Sequence, residues 1–246
     1  MSDVERRAGT GFALLFRRDE RPDASAILAA LDKCQTPAQS AHVDTGAGVA
    51  EVVARGLTFD VDGLAPAVRC EIPTPESSHG FADLAGLDGL EPVRLYPGHH
   101  LSGGLALPPV VRTMAALAAE LSTVLPVVAI VWLPANTATE TGVFAHTVLA
   151  WLAGGAFPAH SFTALSALAD GTVVSRGLAH FVQQEISVSN RPSSKPEATL
   201  RLAAHVVDRL VQEGRIEMAT QLQIRGETFC AEPAQQGTRV LVWPAS

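Results

Sequence analysis

Arg176, His180 and Glu185 are spaced four and five residues apart in one short polar stretch. A histidine with a near-neutral pKa, set beside a carboxylate and a guanidinium, can carry acid–base chemistry on an anionic substrate. In that reading His180 and Glu185 are the catalytic pair and Arg176 is the binding group. The same stretch has a structural reading. Glu185 stands at the junction of a turn and a strand, where a carboxylate can accept hydrogen bonds from loop N–H groups. No other motif supplies a reaction centre: the G-x-S-x-G elbow, the P-loop and the dinucleotide G-x-G-x-x-G are all absent.

Metal chemistry finds equally little support. His99 and His100 are adjacent, and neighbouring side chains in an extended chain point to different sides. His146 and His205 fall on helical stretches, and no His-x-x-x-His or His-Glu-x-x-His occurs. Cys34, Cys70 and Cys230 are far apart and odd in number, so they suggest neither a disulfide framework nor a zinc site. We expect no metal and no cofactor.

Charge and hydropathy narrow the partners. The net charge is −7, the isoelectric point is near 5.6, and no basic run exceeds two residues. Nucleic acid and anionic membranes are therefore not expected partners, because both require clustered Lys and Arg. Apolar residues make up 47% of the chain against 17% charged, which leaves little charge to solvate an exterior and favours a homo-oligomer. No apolar run reaches the roughly 18 residues of a spanning helix, and the charged first residues lack an apolar core, so a cytoplasmic setting is expected.

The elements that must position these residues are organised around the apolar run 127–133, bracketed by Pro126 and Pro134. Such a run, β-branched and without polar alternation, reads as an inner strand covered on both faces. Upstream, residues 11–16 read as a first strand, and Asp23 caps a helix reaching about Cys34. Residues 35–48 read as loop and residues 49–54 are of uncertain type. Leu57, Phe59 and Val61, then Val68, Cys70 and Ile72, alternate as the two arms of a β-hairpin. Residues 76–104 are irregular apart from a short strand at 93–96, and irregular stretches of that length are often functional. Val110, Met114, Leu117, Leu121 and Val124 mark a helix leading into the central run.

The second half reads as a helix over 141–153, strands at 162–168 and 185–189, and a helical turn between the two. The strand at 185–189 alternates like an edge strand. Ser194 and Glu197 form a capping box for a helix whose apolar face is Leu200, Ala203, Val207, Leu210 and Val211, with Gly214 beyond its end. Strands follow at 219–224 and 227–231 around an Arg225-Gly226 turn, and again at 239–243. Residues 130–134 (Ile-Val-Trp-Leu-Pro) are echoed by 241–244 (Leu-Val-Trp-Pro), with both tryptophans expected in the core.

The stretch 175–188, Ser-Arg-Gly-Leu-Ala-His-Phe-Val-Gln-Gln-Glu-Ile-Ser-Val, resembles a bacterial family of uncharacterised proteins. The family's shared pattern is Thr-x-Gly-Leu-x-x-Phe-Gly-x-x-Glu-hydrophobic-x-hydrophobic. The resemblance also takes in residues 129–132 and the helix after Pro196, covering about 57–214. Ser175 replaces the family's Thr and Val182 its second Gly, so a positive-φ turn at that glycine would have to differ here. The resemblance implies the fold and no activity.

The expected architecture is α+β. Its first half, 10–135, is a ferredoxin-like βαββαβ unit with both helices on one face of an antiparallel sheet. A second mixed half, 136–246, packs against it within one domain. Two functions fit. The first is a binding or interaction module that takes a protein or small ligand through the 76–104 loop or the Gly177 loop. The second is a cofactor-independent hydrolase or isomerase using His180 and Glu185.

Overall fold

An unbroken apolar run between two prolines reads as an inner strand, and the structure has one there. In the computed structural model, which describes residues 3–191 and 195–245, the chain divides into two compact units, Met1–Gly155 and Ala156–Ser246. The first unit opens with α1 (Asp3–Ala8), β1 (Phe12–Phe16), α2 (Ala24–Leu31), β2 (Ala38–Asp44), β3 (Val49–Ala54) and β4 (Leu57–Asp62). It continues through β5 (Ser77–His79), β6 (Glu91–Pro97), α3 (Pro108–Val124), β7 (Val127–Trp132), β8 (Thr137–Glu140) and α4 (Thr141–Leu152). These make an eight-stranded sheet in the order β2-β3-β4-β6-β1-β7-β8-β5, antiparallel except for the β5–β8 pair.

Register decides which side chains share a face. Phe12 is opposite Trp132 and Leu14 opposite Ile130. These residues face the helices: the Phe12 ring lies 4.7 Å from that of Trp132 and 5.5 Å from that of Phe144 on α4. α3 packs across β1, β4, β6 and β7, with α2 and α4 beside it. The other face carries Ala13, Leu15, Ala129, Val131 and Ala138, which pack with Leu87 and against Ile72, Phe81, Leu84 and Leu90. The irregular chain between β4 and β6 is therefore the second cover of this sheet. Each large side chain it buries is worth about 1.5–3 kcal/mol.

The hairpin expected between 57–61 and 68–72 is not formed. β4 pairs instead with β3 and β6, and Val68 is 90% exposed. The β3–β4 turn is Arg55-Gly56, with φ of 51° and 77°, the positive pair that a tight hairpin needs. Residues 35–48, expected as loop, contain the edge strand β2, and the short strand expected at 93–96 is the inner strand β6.

The second unit holds α5 (Ala159–Phe162), β9 (Ala164–Ala167), β10 (Val173–Arg176), α6 (Ala179–Val182), β11 (Glu185–Val188) and α7 (Pro196–Glu213). It ends with β12 (Thr220–Ile224), β13 (Glu227–Ala234) and β14 (Arg239–Pro244). Its sheet runs β12-β13-β14-β11-β10-β9, with β11 and β14 parallel. β11 is thus an inner strand, not the edge its alternation suggested. Ile186 and Val188 are buried on the α7 side while Glu185 and Ser187 face away, so the alternation records one covered face.

α7 buries Leu202, Ala203, Val206, Val207 and Leu210, a stripe offset from the expected one: Leu200 and Val211 are half-buried. Gly214 ends it at φ 92°. The helix begins after Lys195 with Pro196 in its first turn; Ser194 of the expected capping box lies outside the described residues.

Candidate functional site

β10 delivers Ser175 and Arg176 to a turn at Gly177, whose φ of 94° suits a residue without Cβ. One turn of helix follows, and Gln183 closes it at φ 58° before β11 begins at Glu185. The positive φ therefore falls one residue after Val182, which is itself buried.

Glu185 gathers this turn. Its Oε1 accepts from the backbone N–H of Gly177 at 2.8 Å and of Ala179 at 3.1 Å. Its Oε2 accepts from Ser175 Oγ at 2.5 Å, and that oxygen in turn accepts from the Ile186 N–H at 2.7 Å. Both carboxylate oxygens face the loop, and the Ser175 hydroxyl is engaged as donor and acceptor. His180 packs its ring 5.4 Å from that of Phe181, which belongs to an aromatic group with Phe157 and Phe162. Arg176, at the end of β10, and His180, in the helical turn, flank this Glu185-centred loop.

Sequence reasoning passed over the adjacent Gln184. It is fully buried, donates from Nε2 to the carbonyls of Ile216 and Gly237 at 2.9 Å each, and accepts the Ile216 N–H at 2.9 Å. Arg7 was missed in the same way. Its buried guanidinium donates to Asp3, Asp60 and the Pro97 carbonyl, which ties α1 to the sheet. No periodicity marks a polar side chain whose burial depends on partners far along the chain.

The remaining sequence candidates separate. His99 Nδ1 lies 3.2 Å from Asp3 Oδ2, while the His100 ring is set 63° from that of His99. Arg6, then His99, hold the exposed Asp3 carboxyl well below the usual range. Burial pushes the Cys34 and Cys70 thiols up to about 11, leaving little thiolate at neutral pH for nucleophilic work. Among the described residues no group of three or more His, Cys, Asp and Glu side chains could hold a metal, and no helix is long and apolar enough to cross a membrane.

The first unit contains a cleft of about 430 Å³ in the cover of its sheet. Leu15, Ile72, Leu84, Leu87 and Leu90 line it, with Pro73 and Pro75 stiffening one wall. Thr74 and Asp88 add a hydroxyl and a carboxylate to this otherwise aliphatic lining. Comparisons of the chain with protein-family models, with curated proteins and with solved structures return no match.

Proposed function

We propose that the chain is a binding or interaction module and that the 175–186 segment serves its architecture. One observation carries this reading: three donors from its own loop take up the Glu185 carboxylate. A general base must present a lone pair to the substrate, and three of the roughly four acceptor sites of the Glu185 carboxylate are already taken. The cleft beside Ile72 and Leu84, aliphatic side chains with the Thr74 hydroxyl and Asp88 carboxylate among them, supports a small, largely apolar ligand as the species bound.

The order β4-β6-β1-β7 among the inner strands, all antiparallel, supports a ferredoxin-like core extended at both edges. The low charge content supports a homo-oligomer, and the resemblance of residues 175–188 supports membership of the uncharacterised family. We read the setting as cytoplasmic.

A thermal-shift screen of small apolar compounds tests the module. A binder should raise the melting temperature in proportion to the logarithm of its concentration, and Leu84→Ser should remove the effect. Turnover of any compound that is lost equally in Glu185→Gln and Glu185→Ala, with stability unchanged, would replace the module with the hydrolase or isomerase.

A further inference from the structure

We propose that the second unit carries a pocket for the phosphate group of a small phosphorylated molecule, built from Arg191, Arg201, Arg225 and His205. The pocket encloses about 260 Å³ between α7 and the β12–β13 hairpin. Arg201 and His205 stand four residues apart on α7, so both project to the same side of the helix. Arg225 enters from the opposite wall at the hairpin tip, where its φ of 51° and the 85° of Gly226 set the turn. Arg191 arrives from the chain beyond β11. Three of the 18 basic residues of a chain with net charge −7 thus meet in one small cavity.

The local charge count favours a dianion. Among the described residues Glu227 is the one carboxylate in the lining, and it lies 3.5 Å from Arg191. Among the described residues Arg201 and Arg225 have no ion-pair partner, so two guanidinium groups are left over. A phosphate monoester carries about −1.5 to −2 at pH 7. The planar guanidinium fork matches its oxygens in pairs, as an ammonium does not. Asn190 adds a donor: its Oδ1 accepts the Arg191 N–H at 2.8 Å, leaving the amide nitrogen as its other end. Ile224 and Phe229, nearly buried, give the pocket an apolar floor for the organic part of the ligand. The inference uses neither the cleft of the first unit nor Glu185, so it stands or falls apart from the module reading.

The test is calorimetric titration of the full chain with phenyl phosphate, inorganic phosphate and benzoate at one fixed ionic strength. Phenyl phosphate should bind saturably and at least threefold more tightly than either of the others. Arg201→Ala and Arg225→Ala should each weaken it tenfold or more, while Arg201→Lys retains part of the affinity. Arg209→Ala, on the same helix but paired with Glu213, should leave binding unchanged. Circular dichroism confirms that each variant is folded, and the exposed positions of Arg201 and Arg225 make folding the expected result. Absence of saturable binding at millimolar phenyl phosphate overturns the proposal. So does parent-like binding in both alanine variants. Equal affinity for inorganic phosphate or benzoate overturns the assignment of a phosphate monoester.

Discussion

The ends of β7 and β14 fall in nearly the same motif, Ile-Val-Trp-Leu-Pro at 130–134 and Leu-Val-Trp-Pro at 241–244, and both are inner strands of their sheets. Their side chains nonetheless meet different surroundings. Trp132 and Val131 are fully buried, whereas Trp243 is 37% and Leu241 40% exposed. The tryptophan expected in the core at 243 therefore stands at its margin. The cause is what covers the second face. In the first unit, residues 72–90 lie over Val131 and Ala129. In the second, α5, α6 and α7 gather on one side, and among the described residues of that unit no helix lies over Leu241, Ser187 or Cys230. Two similar strands show that strand formation is local, while double coverage depends on a distant segment.

The largest expected effect follows from that cover. Val131→Asp places a charge where both faces are dry, and should cost more than about 4 kcal/mol and leave the chain unfolded by circular dichroism. A soluble variant with an unchanged melting temperature would remove the doubly covered strand from the comparison.

On the singly covered sheet, stability is expected to lean on hydrogen bonds at the strand junction. Glu185→Ala orphans the Gly177 and Ala179 N–H groups and the Ser175 hydroxyl and should cost on the order of 1–3 kcal/mol in urea unfolding. Glu185→Gln keeps one carbonyl acceptor and should cost less. Equal stability of the alanine variant and the parent would mean that the loop does not depend on this carboxylate.

A smaller effect is expected at the edge of the first sheet, where burial lowers the pKa of His79. The unfolded chain binds the proton more readily, so His79 contributes stability above about pH 6.5, and that contribution is lost as pH falls towards the lowered value. Melting temperatures between pH 5 and pH 7 should decline less towards acid in His79→Gln. An identical slope in parent and variant would contradict the burial of this imidazole.

The smallest effect belongs to the open face. Leu241→Thr should change stability by no more than about 0.5 kcal/mol, because the side chain is already 40% exposed. A loss of 2 kcal/mol or more that grows with protein concentration would show this face covered by a second copy in solution.

The first sheet was half legible. Arg225-Gly226 is legible as a hairpin turn because strands flank it without interruption, and it is one, with φ of 51° and 85°. Arg55-Gly56 is the same device, but its first arm, Val49–Ala54, carries no polar alternation to announce a half-buried strand. The better-patterned residues 68–72 drew the pairing instead, and they form no strand. At the candidate site, Glu185 was legible as a junction acceptor because a carboxylate between a turn and a strand has nearby donors. Gln184 was not, since its partners at Ile216 and Gly237 lie 32 and 53 residues away.

What the sequence determined by itself is local. Asp23 caps α2 through the Ala26 N–H, Pro126 and Pro134 bracket β7, and Gly214 ends α7, because each of these depends on neighbouring backbone alone. Tertiary structure alone decided that β6 slots between β1 and β4, that irregular chain rather than a helix covers Val131, and that Trp243 stays half out of the core. A strand's alternation encodes how many of its faces will be dry. The identity of the surface that makes them dry is set only when segments far apart in the chain compete to bury the same apolar area.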